Sequence, residues 1–330
     1  MKILLLALIA ALTLPLQADT ELLRFVPDNI QAVVGIDTAQ GWRHPAFTQF
    51  RRNDPVLDQQ CRLLEKQLAR FRMRPENAIG SMVAFYGGED NFGAVFHTSI
   101  RETQFDQMLA QGLTQGAEET VRIQKQQAKG YDYYLVRAIC KGRQLPDSGF
   151  TYVGANQILI APLPQLDRIR SKIRNGALAS NRQYQSQLRQ INTNAPFWMA
   201  FRIAPGTIQT LAANTSAPPA LMLLNNIADG AFAVTTGGHS NRDFTIKGFV
   251  TCRDAGSAKA MAQQLQLLPM ACGDSRTAMR VNESLHIVTK GKTLFLRMLL
   301  PEEMQRTLMG GASRPQTAQR NHHVSGKRLR

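Results

Sequence analysis

The sequence predicts an α+β fold, in which two related halves of antiparallel sheet are packed with helices after a signal peptide. Three observations favour this class. Strand-like and helix-like periodicities alternate along the chain after residue 18. Glycine pairs join strand to strand. The order strand, turn, strand, helix occurs in the first part of the chain and again in the second part.

A short apolar strand is predicted at 31–37, and an amphipathic helix is predicted after it. Asp54 and Pro55 suit the N-cap and the first helical position of this helix. Its apolar residues recur at spacings of three and four, which is typical of one buried helix face. They are Leu57, Cys61, Leu64, Leu68 and Phe71.

The glycine-containing turn at 87–91 separates two predicted strands, Met82 to Tyr86 and Phe92 to Thr98, and a helix is expected over 105–113. A phosphate-binding glycine loop would run directly from a strand into a helix, so that backbone N–H groups face the anion. Here the glycines stand between strands and before acidic and amide residues, which is ordinary turn chemistry. The pattern predicts a hairpin.

The second part of the chain repeats this plan. Residues 232–268 read as strand, Gly-Gly turn, strand and helix. The strand at 197–205 corresponds to 32–40, and the hairpin and Pro-started helix at 152–169 correspond to 288–305. The shared pattern indicates an internal duplication.

The predicted organisation therefore has five parts. They are a signal peptide (1–18), a first α+β half (19–178), a polar linker or surface helix (179–194), a second α+β half (195–309) and a basic disordered tail (310–330).

The signal peptide is predicted from Lys2, an apolar run at 3–14 and a small residue, Ala18, before the cleavage point. About a dozen apolar residues are too few to cross roughly 30 Å of hydrocarbon at 1.5 Å per residue. We therefore expect an exported chain, periplasmic or extracellular, with no transmembrane helix.

The chain is strongly basic, with a formal net charge of +15. A basic surface attracts polyanions without specifying a fold. The expected partners are an anionic envelope polymer, a lipid surface or a protein partner, whereas nucleic acid is a poor partner for an exported chain. A basic protein without an anionic partner is the plain alternative.

Four cysteines allow three disulfide pairings; they are Cys61, Cys140, Cys252 and Cys272. The position of Cys61 on the apolar helix face favours a buried free thiol. A Cys252–Cys272 bridge would require the intervening loop to double back, because a helix of about 14 residues carries the chain roughly 20 Å away. At most one disulfide is expected, and its pairing stays open.

The sequence contains no P-loop, dinucleotide fingerprint, GxSxG elbow, HExxH or CxxC motif. No cofactor and no metal is predicted, and no catalytic residue is assigned. The histidines that a dispersed site could use stand far apart in the sequence; they are His44, His97, His239 and His286. Trp42 and Arg43 are candidates for the rim of a ligand groove, because Trp and Arg are enriched at binding sites. Trp198 is expected in the core.

The stretch LLRFVPDNIQAVVGIDTAQGWRHPAF (22–47) and the later phrase APFWMAF (195–201) resemble a class of uncharacterised exported bacterial proteins. That resemblance implies a duplicated α+β architecture and an exported location, and it implies no activity and no functional residue. The leading functional expectation is a non-catalytic binding or scaffold module of the cell envelope. The alternatives are a hydrolase with a dispersed active site and a basic protein associated with a membrane surface.

Overall fold

A computed structural model describes residues 20–38, 42, 48, 51, 55–88, 91–111, 121–128, 130–140, 143–144, 147–173, 178, 181–204, 225–236, 243–271 and 275–302. These residues form one antiparallel sheet of 13 strands with helices packed against it. The α+β class predicted from the sequence is confirmed. The predicted signal peptide (1–18) and tail (310–330) lie outside the described residues.

The strands are β1 (Ala32–Asp37), β2 (Ile79–Tyr86), β3 (Phe92–Thr98), β4 (Val121–Ala128), β5 (Tyr131–Cys140), β6 (Arg143–Gln144), β7 (Ser148–Gly154), β8 (Gln157–Pro162), β9 (Phe197–Arg202), β10 (Ile227–Thr236), β11 (Phe244–Cys252), β12 (His286–Lys290) and β13 (Thr293–Leu300). The helices are α1 (Pro55–Arg70), α2 (Pro75–Ala78), α3 (Glu102–Ala110), α4 (Leu163–Ile173), α5 (Arg182–Arg189), α6 (Ala255–Leu265) and α7 (Ser275–Ser284). Two 3-10 helices span Thr20–Phe25 and Leu268–Ala271.

The sheet runs in the order β12-β13-β11-β10-β9-β1-β2-β3-β8-β7-β5-β4, and β6 pairs with β5 alone. Each half begins with three consecutive strands, and the last strand of its final hairpin then pairs with the third strand. The order is β1-β2-β3-β8-β7 in the first half and β9-β10-β11-β13-β12 in the second. The two halves therefore share a strand order, and they form a single sheet because β1 pairs with β9.

The two faces of the sheet have separate cores. Face A is the side on which Val33, Val83, Leu159 and Trp198 lie, and it carries the largest cluster of buried residues. The first 3-10 helix, α4 and α5 supply the helical part of that cluster. Face B is the opposite side, where α1 and α3 cover the sheet with smaller apolar clusters. In the second half, α6 and α7 pack against the outer strands.

The junction of the halves is a tight cross-strand contact. Gly35 of β1 lies directly opposite Trp198 of β9, and Trp198 is fully buried as expected. A Cβ atom at Gly35 would overlap the indole ring. Only glycine leaves room for the ring on this strand, so the pair fixes how closely β1 and β9 pack.

The segment at 179–194, expected as a linker or surface helix, contains α5 and contributes to the core. Asn181 caps this helix by accepting hydrogen bonds from the backbone N–H groups of Gln183 and Tyr184. Tyr184 is fully buried, and its hydroxyl donates to the carbonyl oxygen of Ile30 at 3.1 Å. The helix therefore joins the chain before β1 to the strands of the second half.

Further elements were not predicted from the sequence. They include the β4–β5 hairpin at one edge of the sheet and helix α7 before β12. Among the described residues, no helix has both the length and the hydrophobicity needed to span a membrane.

We predict that Gly35→Ala destabilises the protein by about 2–3 kcal/mol, because the new methyl group meets the Trp198 ring and overpacking of a core costs about 1–3 kcal/mol. Equilibrium urea unfolding measures this change. Gly80→Ala in β2 is the matched control, since its nearest atom would be the Cβ of His97 at 3.3 Å. It should stay within about 1 kcal/mol of the wild type.

A double-mutant cycle tests the cause of this effect. In a Trp198→Leu background the ring is absent, so the cost of Gly35→Ala should shrink markedly. An unchanged cost in that background would contradict the packing explanation.

Candidate functional site

Trp42, a predicted residue of the groove rim, lies in an ion-paired cluster with Arg51 and with two acidic residues of α1. The indole N–H of Trp42 donates to Glu65 at 3.2 Å, and the Arg51 guanidinium lies over the Trp42 ring at 5.6 Å from its centroid. Arg51 also bonds Glu65 at 2.6 Å and Asp58 at 3.0 Å. These contacts hold Trp42 against the helix. Arg43 lies outside the described residues, and the rim role stays a prediction.

The described cysteines are free thiols. Cys61 is buried in the core on face B, as its position on α1 predicted, and burial raises the pKa of its thiol. Cys252 is also free and buried, and burial raises its pKa as well. A Cys252–Cys272 bridge is therefore absent from this structure. The side chains of Cys140 and Cys272 lie outside the described part of the chain.

A second charged network joins α3 to the β4–β5 hairpin. The Lys125 ammonium bonds Asp106 at 2.8 Å and Glu102 at 3.1 Å. The hydroxyl of Tyr134, which is fully buried, donates to Asp106 at 2.6 Å, and its ring stacks on Phe150. The hydrogen bond to Asp106 raises the pKa of Lys125. The network fastens a helix to an edge hairpin.

The third network ties α7 to the end of β13. Asp243, which is 1% exposed, accepts hydrogen bonds from Arg280 and from the backbone N–H of Glu302. A buried carboxylate of this kind is stable only when it is paired. The second and third networks therefore join secondary-structure elements to each other, and the first holds Trp42 and Arg51 against α1.

The described histidines do not meet. His97 lies on β3 and His286 on β12, seven positions apart in the strand order. At about 4.8 Å per strand this is roughly 34 Å along the sheet. His44 and His239 lie outside the described residues.

A different group of polar side chains is brought together by strand register at the other end of the sheet. Ala233, in the core of face A, pairs with Lys247 on β11, which pairs with Arg297 on β13, which in turn pairs with His286 on β12. Directly opposite residues share a face, so this row lies on face A. Lys290 lies on the same side of β12. We name the exposed residues Lys247, His286, Lys290 and Arg297 the basic sheet face.

The basic sheet face has no internal counter-charge. None of its four residues makes an ion pair within the part of the chain that the structure describes. The face A positions of β11, β12 and β13 include no Asp or Glu. Like charges directly opposite each other destabilise a sheet, and Lys247 lies directly opposite Arg297. An anion bound at this row would relieve that repulsion.

An apolar row lies beside the charged one. Phe249 on β11 pairs with Phe295 on β13, which pairs with Val288 on β12. Burial decreases outward along this row: Phe249 is 5% exposed, Phe295 is half-buried and Val288 is 53% exposed. The apolar row thus runs from the core of face A to the sheet edge, where it ends at the exposed side chain of Val288 between Lys290 and His286.

The corresponding place in the first half is closed. There Phe85 pairs with Gly93 on β3, and Ala161 on β8 pairs with Gly149 on β7; β3, β8 and β7 occupy the positions of β11, β13 and β12. Ala161 and Gly149 are buried, and α4 packs against β7 and β8. The same position in the sheet is therefore apolar and covered in one half, and charged and exposed in the other.

Sequence reasoning missed the basic sheet face. Lys247, Arg297 and His286 each stand at a single position in a separate strand, and up to 50 residues separate them in the sequence. Charged residues within the otherwise apolar strands FTIKGFVTC and TLFLRMLL were the available signal. Their convergence depends on register, which sequence alone did not provide.

Comparisons with known proteins give little further information. No protein-family model matches the chain, and no curated protein matches it significantly. One solved structure, described as "Structure of crystal form I of TP0453", matches with a TM-score of 0.48 and 10% sequence identity. The match covers 89% of this chain and 98% of that chain. Function is therefore argued from the residues of this chain.

We predict that Lys125→Met makes the protein more sensitive to acid. Burial raises the pKa of the Asp106 carboxyl, but hydrogen bonds from Lys125 and Tyr134 and the charge of Lys125 outweigh it, so the net pKa lies below the ordinary value. The stability that this lowered pKa contributes is present above about pH 4 and is lost as the pH falls through the folded-state pKa.

Without Lys125 the pKa of Asp106 rises, so the acid-unfolding midpoint measured by circular dichroism should move to higher pH. Lys125→Arg should keep the midpoint near that of the wild type, and Lys259→Met controls for the lost charge at an exposed position of α6. Equal shifts for Lys125→Met and Lys259→Met would refute the local explanation.

Proposed function

We propose that this chain is a non-catalytic binding module of the bacterial cell envelope that holds an anionic partner on its basic sheet face. The observation that carries the proposal is the row of Lys247, Arg297 and His286, which is exposed and has no acidic counterpart among the described residues. In the three networks described above, by contrast, Arg51, Lys125 and Arg280 are paired with acids that hold helices in place. Cations that serve no such structural purpose are available to a ligand.

Export belongs to the same proposal. A cleaved signal peptide at residues 1–18 would deliver the chain to the periplasm or the extracellular space, where anionic lipids and polymers are the abundant polyanions. The formal net charge of +15, which becomes +14 when Lys2 is removed with residues 1–18, would favour encounter with such partners through long-range attraction.

Internal duplication is the third part of the proposal. The shared strand order of the two halves supports an origin from one repeated unit. In this reading the first half kept a covered apolar face at β3, β8 and β7, and the second half acquired a charged face at the equivalent strands. The division of roles between the halves follows from that difference.

The hydrolase alternative has no observation in its favour in the described part of the chain. His97 and His286 lie at distant positions in the sheet, and the three ionic networks described above hold helices or neighbouring side chains in place. We therefore place the binding function first.

Retention on immobilised dextran sulfate over a salt gradient tests whether the face binds anions. The row variant, Lys247→Gln/Lys290→Gln/Arg297→Gln, replaces the lysine and arginine residues of the basic sheet face. We predict that it elutes at much lower salt than the wild type, because exposed charge–charge attraction is screened by salt. A matched control, Arg122→Gln/Lys259→Gln/Arg276→Gln, removes the same charge from exposed residues elsewhere and should elute close to the wild type.

Circular dichroism and thermal unfolding establish that both triple variants are folded. Equal shifts of the two variants would mean that only net charge matters, and would contradict a defined anion-binding face.

A further inference from the structure

We infer that the occupant of the basic sheet face is the surface of an anionic phospholipid membrane. This inference rests on the proposed function, because it names the partner of the same face. It goes beyond that function by requiring the apolar row as well as the charged one.

The first step is the composition of the β12–β13 hairpin. Its turn contains Lys290, Gly291 and Lys292, and all three are exposed. Gly291 has a φ of 59°, in the left-handed region that glycine tolerates. The turn therefore projects two ammonium groups at the end of the hairpin, and Arg297 and His286 lie farther along the same two strands.

The second step is the exposed apolar side chain that lies between these basic groups. Val288 is 53% exposed and lies between His286 and Lys290 on one side of an edge strand. Half-buried Phe295 stands directly beside it on β13. A soluble anionic polymer would use the cations and would leave this apolar surface in water, whereas a membrane interface accommodates both.

The third step is shape. Lys247, Arg297 and His286 follow each other across three adjacent strands at about 4.8 Å per step, so their Cα positions form a short row on one face at the end of the sheet. A row on one face can meet several phosphate groups of a membrane surface at once. Near an anionic membrane each Lys or Arg contributes about 1 kcal/mol, which corresponds to roughly a fivefold change in affinity.

The experiment uses the full chain and co-sedimentation with vesicles of phosphatidylcholine alone or of phosphatidylcholine with phosphatidylglycerol. All variants carry glutamine in place of the basic tail residues, so that the tail does not dominate binding; these are Arg314, Arg320, Lys327, Arg328 and Arg330. We expect binding only to the vesicles that contain phosphatidylglycerol. The row variant should bind about 100-fold more weakly and the matched control within about fivefold of the parent.

Val288→Thr separates a lipid from a soluble polyanion. The substitution keeps the side-chain shape and the net charge, and it removes apolar surface at the proposed interface. We expect it to weaken vesicle binding about three- to tenfold and to leave retention on dextran sulfate unchanged. Its thermal unfolding midpoint should stay near that of the parent, because Val288 is largely exposed.

The outcomes distinguish the two proposals. Retention on dextran sulfate that depends on the row, without binding to phosphatidylglycerol vesicles, would overturn the lipid inference and leave the anion-binding function standing. Vesicle binding with no effect of Val288→Thr would also overturn the role given to the apolar row. A failure of both anionic probes to bind would overturn the proposed function itself.

Discussion

The antiparallel pairing of β1 with β9 is the constraint on which the rest of the structure depends. This pairing joins two three-stranded units, β1-β2-β3 and β9-β10-β11, which form the centre of one continuous sheet. The buried Trp198 ring lies across Gly35 at this junction, so the missing side chain of one strand is filled by the large side chain of the other. The largest apolar core lies on this face, where α4, α5 and the first 3-10 helix cover it.

The charged residues follow from that arrangement. With the centre of the sheet apolar, ionic networks lie where helices meet the sheet or each other. Arg51 pairs with Glu65 of α1, Lys125 joins α3 to the β4–β5 hairpin, and Arg280 joins α7 to Asp243, which directly precedes β11. The basic sheet face differs from these because its cations meet other cations. A row of like charges lowers the stability of the folded protein. The proposed anionic partner would offset that repulsion when it is bound.

The sequence predicted the elements that have clear periodicity and strong turn signals. The helix with Cys61 and Leu68 on its buried face and the hairpin at Gly87 and Gly88 are examples. It did not predict β4, whose outer part is the polar run QKQQ, because an exposed edge strand lacks the alternating pattern of a half-buried one. It also missed α7, where Thr277 and Val281 are the buried residues.

The candidate site was harder to predict for a related reason. Trp42 was selected by residue type, and the structure places it against Arg51 and Glu65. Lys247 and Arg297 became neighbours only through the pairing of β11 with β13. Cross-strand register is set by packing and turn geometry over the whole sheet, so single-strand patterns do not contain it.

Native-state hydrogen exchange of the backbone amides in β1 and β9 tests the central claim most directly. If the junction organises one cooperative sheet, the most protected amides of Val33, Val34 and Ala200 will exchange only through global unfolding, with the free energy measured by urea denaturation. Exchange at these amides through a local opening of much lower free energy, while either half stays protected, would show that the halves are independent units and would contradict the account.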